Sequence, residues 1–66
     1  MKDGDLRVFK RTTIANHGRM FVEGQPIVLL HIDTVSLPYR RWWVLVDGSK
    51  DLCDEETMKR DTDESR

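Results

Sequence analysis

Arg40-Arg41-Trp42-Trp43-Val44-Leu45-Val46-Asp47-Gly48 decides how this chain is read. Aromatic and β-branched residues favour a strand. The Asp-Gly pair that ends the run is the strongest short hairpin signal there is. Successive strand side chains point to opposite faces, so Trp42, Val44 and Val46 share one side and Trp43 and Leu45 the other. The expectation is Trp42 inside and Trp43 outside, available to a partner. The alternative is that both indoles are covered, by the apolar connection from Val35 to Tyr39 and by the acidic end of the chain.

Working outward, Ser49 to Cys53 reads as the return strand of the hairpin, and Ile27-Val28-Leu29-Leu30-His31-Ile32 as the strand before it. The near-continuous apolar character of that run predicts burial on both faces, or one face left for another chain. Leu6 to Arg11 is a short strand candidate with Leu6 and Val8 on one face, and Met20-Phe21-Val22 is a second strand or part of a loop. Asn16-His17-Gly18 and Glu23-Gly24-Gln25-Pro26 are turn signals. Asp54-Glu55-Glu56 opens one helical turn, with Asp54 as cap and Lys59-Arg60 at the favourable C-terminal end. Asp61 to Arg66 has no apolar residue and is expected to be flexible. The division is therefore a domain over 1–58 and a charged tail over 59–66. Four to five short strands with one hairpin are best satisfied by a small, bent antiparallel barrel, an all-β fold whose closure removes exposed edges.

Composition narrows the function. The chain has 66 residues, 38% hydrophobic and 35% charged, enough for only a thin core. Domains this small lean on disulfides, a metal or assembly. Cys53 is the single cysteine, which excludes an internal disulfide and a thiolate cluster. Assembly with another chain, or with further copies of itself, is the staple left. Residues 1–50 carry eight Lys/Arg against five Asp/Glu, and residues 51–66 carry three against seven. A mildly basic body with an acidic end is not the footprint of a general nucleic-acid binder. No apolar run reaches the roughly 20 residues of a membrane span, and no signal-peptide core follows Met1. The expected setting is a reducing cytoplasm or an assembly formed there.

Candidate chemistry is sparse. Arg40 and Arg41 beside the indoles suit phosphates, bases or the carboxylates of another protein, and equally suit solvent. His17 and His31 have no metal-ligand spacing, and His31 reads as a strand residue on a half-wet face. Cys53 lies next to Asp54 and Glu55, whose charge disfavours a thiolate, so it reads as a small core residue. The carboxylates of Asp54, Glu55 and Glu56 are explained by capping and solubility. No nucleophile–base pair, metal set or phosphate loop is visible, so no catalytic residue, cofactor or small-molecule substrate is expected. The partner-binding set is Trp43, Leu45, Arg40, Arg41, Leu37 and Tyr39.

The order of signals resembles the small SH3-like barrel proteins of unknown function encoded by tailed, particularly marine, bacteriophages. The residues that carry the likeness are Gly4-Asp5-Leu6, Gly24 with Ile27 to Asp33, Arg41 to Gly48, and Leu52 to Glu56. They parallel a G-D-L-V opening, a G-x-x-G-I-V-L-x-I strand, a V-L-V-D-G hairpin and a terminal E-E-L, over roughly residues 4–58. Pro26 stands where the pattern has its second glycine, and the segment from Arg11 to Glu23 is longer than the pattern usually has. The likeness implies a viral accessory or virion component, and the residues themselves point to a non-enzymatic interaction module. In its first form this is a minor virion component docked on a larger viral protein. The alternative is an accessory factor in the host cytoplasm that binds a host protein or nucleic acid.

Overall fold

The computed structural model describes residues 1–15, 18–33 and 39–64. Strands dominate: β1 (Leu6–Phe9), β2 (Thr13–Ile14), β3 (Met20–Phe21), β4 (Pro26–Ile32), β5 (Arg41–Val46), β6 (Ser49–Asp54) and β7 (Thr62–Glu64). A single helix, α1 (Glu55–Asp61), separates β6 from β7. The five longer strands form one antiparallel sheet in the order β6-β5-β4-β1-β7, and β2 pairs with β3 in a separate hairpin.

The strand–turn–strand unit forms as its residues dictate. Val46 pairs with Ser49 across Asp47 and Gly48, which have φ of 50° and 77°. Two positive φ angles make a type I′ turn, whose twist matches the strands it joins. Pro26 opens β4 opposite Val8, where a missing N–H costs least. Gly24, at φ 85°, donates its N–H to the Phe9 carbonyl at 2.7 Å and turns the chain into that strand.

Alternation along β4 and β5 builds the core. Ile27 and Leu29 on β4 and Trp42, Val44 and Val46 on β5 are buried on the inner face. A register shift between Leu29 and His31 inserts one extra residue on β4. Leu29 can then pair with the inward Val44 while Ile32, three residues on, pairs with the inward Trp42. β4 is accordingly buried on one face and half-covered on the other.

The pairing leaves the sheet open, with β6 and β7 at opposite ends of the order. The expected closure is replaced by covering. Phe21 of the β2–β3 hairpin stacks on Phe9 with ring centroids 4.6 Å apart, and Met58 of α1 is fully buried in the same cluster. Apolar lids close the core where edge pairing does not.

Two expectations about the C-terminal end are corrected. The helix runs seven residues rather than one turn, with Thr57, Met58 and Asp61 buried. Asp54 stands at its N-cap but makes no side-chain capping hydrogen bond. The segment after it, expected to be flexible, includes β7, which pairs with β1 through Arg7, Val8 and Phe9. Polar contacts do what apolar residues were not there to do. Arg7 Nε donates to Thr62 Oγ1 at 2.6 Å, and the Lys10 N–H donates to the Asp61 carbonyl at 2.8 Å. The 58/59 division falls inside α1, and Thr62–Glu64 continue the same sheet.

Candidate interaction face

On β5 the side chains alternate as the sequence predicts: Trp42 is 5% exposed, while Trp43 is half-buried and Leu45 is 38% exposed on the outer face. Register supplies their neighbours. Trp43 stands between His31 of β4 and Leu52 of β6. Leu45 stands between Val28 of β4 and Lys50 of β6, and Leu6 of β1 lies beyond Val28. Directly opposed side chains on one face sit about 5 Å apart at Cβ. Leu6, Val28 and Leu45 thus form an apolar row across three strands, with Trp43 and Leu52 in the adjoining row. Leu6 and Val28 are not in the partner-binding set expected from the sequence; the signal for Val28 is its place between the inward Ile27 and Leu29.

The arginines have intramolecular work. Arg41 directs Nε and Nη2 at Asp33 Oδ2, the Nε contact at 3.1 Å. The Asp33 N–H donates to the Arg41 carbonyl at 2.8 Å. Together these fasten the two ends of the connection between β4 and β5. Arg40 remains exposed, with Nη1 3.8 Å from Glu55 Oε1. Tyr39 is exposed beside it. Leu37, also named for the partner surface, lies outside the described residues, as do Val35 and His17.

Glu55 was read as a solvated helix-start residue and proves to be a junction. Its Oε1 accepts from the Trp42 indole N–H at 3.2 Å, and its Oε2 lies 3.8 Å from Lys59 Nζ. The Glu55 N–H donates to the Arg40 carbonyl at 3.0 Å. A buried indole N–H needs an acceptor, and the first residue of α1 supplies it.

A second junction lies at the other end of α1. The buried Asp61 carboxylate accepts from Arg60 Nε at 3.2 Å and from Thr13 Oγ1 at 2.9 Å, with Arg11 Nε 3.6 Å away. The hydrogen bond from Arg60 is the largest influence holding its carboxyl below the usual range; the Thr13 bond and the Arg11 charge add to it, against the opposing effect of burial. Cys53 is fully buried. Desolvation, then the charges of Asp54, Asp51 and Asp61, push its thiol up to about 12. Its position is that of a core residue, opposite Trp42.

A separate exposed apolar set lies on the β2–β3 hairpin, where Ile14 pairs with Met20 and Val22 follows. The sequence reading did not single it out. Thr13 and Phe21, the alternate positions, are the ones that cover the core. Among the described residues, no three His, Cys, Asp or Glu side chains gather as a metal site, and no helix is long and apolar enough to cross a membrane.

Comparison with family models, curated proteins and solved structures finds no match to this chain.

Proposed function

We propose that this chain is a non-enzymatic protein-interaction module that docks on a larger protein through the outer face of its sheet. The observation that carries this reading is the apolar row Leu6–Val28–Leu45 with Trp43 beside it, on a domain with little material to spare for covering it. Aromatic anchors in such surroundings supply most of the energy at protein interfaces. A thin core makes association more useful still, because a partner that binds only the folded form stabilises it by mass action. Tyr39 and the exposed Arg40 extend the contact surface beyond the row.

The finer fold reading is a small SH3-like barrel. Its support is the five-strand meander in which the last strand returns beside the first after a short helix, with the β2–β3 hairpin folded over the core. The setting that the motif likeness implies is a minor structural component of a phage particle, where repeated copies offset weak single contacts. The nucleic-acid form of the alternative loses one of its two paired cations, since Arg41 is held by Asp33.

Quantitative mass spectrometry of gradient-purified particles from the source tests this setting. A fixed copy number relative to the major capsid protein supports a virion component. Absence from particles overturns that placement and directs the search to proteins bound in infected cells.

A further inference from the structure

Four cationic side chains ring α1, and the carboxylates that hold them are turned inward. The Glu55 side chain, 14% exposed, holds Arg40 and Lys59, which are 69% and 65% exposed. The Asp61 side chain, 3% exposed, holds Arg60 and Arg11, which are 66% and 57% exposed. Each of these ion pairs therefore presents its cation to solvent, and Glu56 is the exposed carboxylate within α1 itself. Burial of the carboxylates hides the negative partners while fixing where the cations stand.

We propose that this cationic rim binds a short acidic segment of a partner protein. A helix of seven residues is about 10 Å long, the span of about three extended peptide residues. Carboxylates along such a segment match charges anchored at the two ends of α1. A long phosphate backbone fits less well. It would run past the rim onto the exposed carboxylates of Asp63 and Glu64. The proposal does not rest on the apolar row, which contains none of the four cations; Arg40 alone is shared with the proposed docking surface.

Fluorescence anisotropy with labelled hexaglutamate tests it, on the full chain at about 10 mM salt, where screening extends to about 30 Å. The expected result is saturable binding that weakens steeply on approach to physiological salt. The double variant Arg40→Gln/Lys59→Gln should weaken binding about tenfold, the scale of two ordinary exposed ion pairs. The charge-preserving pair Arg40→Lys/Lys59→Arg should retain it. Trp43→Ser/Leu45→Ser should leave it unchanged, which separates this site from the outer face. The proposal is overturned by no binding at low salt, by equal binding in the charge-neutral variant, or by tighter binding of an oligothymidylate than of hexaglutamate.

Discussion

The indole of Trp42 and the carboxylate of Glu55 are joined by a hydrogen bond of 3.2 Å, which ties β5 to the first residue of the helix. It satisfies a polar atom inside a thin core and orients Glu55 toward Arg40 and Lys59. Glu55→Ala removes the acceptor and leaves the indole N–H unpaired, at a cost of about 1–3 kcal/mol. Glu55→Gln keeps an acceptor and should cost less. Urea denaturation of both variants checks the order.

The two tryptophans should separate cleanly in stability. Trp42→Ala opens the core and should cost about 3–5 kcal/mol, a large fraction of what a domain of this size has to lose. Trp43→Ala removes a half-buried outer side chain and should cost about 1 kcal/mol. Circular dichroism and denaturant midpoints for the two variants measure the difference; equal losses would contradict the assigned faces.

Acid should act through Asp61. Its folded pKa is lowered, chiefly by the hydrogen bond from Arg60, so its contribution to stability is present above the unfolded carboxylate value of about 3.9. That contribution is lost as pH falls through the lower folded value. Asp61→Asn should therefore be less stable at neutral pH and should flatten the fall in stability below about pH 4. Thermal midpoints of both proteins across the acid range test this.

The parts of the fold that the sequence made legible rest on side-chain alternation and turn chemistry. Trp42 to Val46 alternates between a core and an outer face, and Asp47-Gly48 tolerates the two positive φ angles that a tight hairpin turn requires. The C-terminal end was illegible for a physical reason. Between Asp54 and Glu64 only Met58 is apolar, so hydrophobic pattern predicts little structure there. Buried Asp61 and Thr62 hold it instead, through Thr13 of β2 and Arg7 of β1, which are distant in sequence. The pairing of Arg41 with Asp33, and the inward turn of Glu55, are likewise tertiary facts that charge counting cannot supply. Within the candidate face, Trp43 and Leu45 follow from alternation, whereas Leu6 joins them only through strand register.

Cys53 should be inert in the folded protein. Burial and neighbouring carboxylates raise its thiol to about 12, so below the ordinary thiol value near 9 both folded and unfolded forms stay largely protonated and the stabilising effect is full. It is lost as pH rises from there through the folded value. Thiol-reactive dye should label native protein far more slowly than urea-unfolded protein at pH about 8. Comparable rates would contradict a core position.

Docking through the outer face of β5 is tested by co-sedimentation with purified particles. Wild-type chain, Trp43→Ser/Leu45→Ser and the hairpin control Ile14→Ser would be supplied in equal amounts, each shown to be folded by circular dichroism. The double variant should lose about tenfold or more of the bound chain, as expected for removing an interface anchor, and the control should lose none. Equal binding of all three would contradict docking through this face.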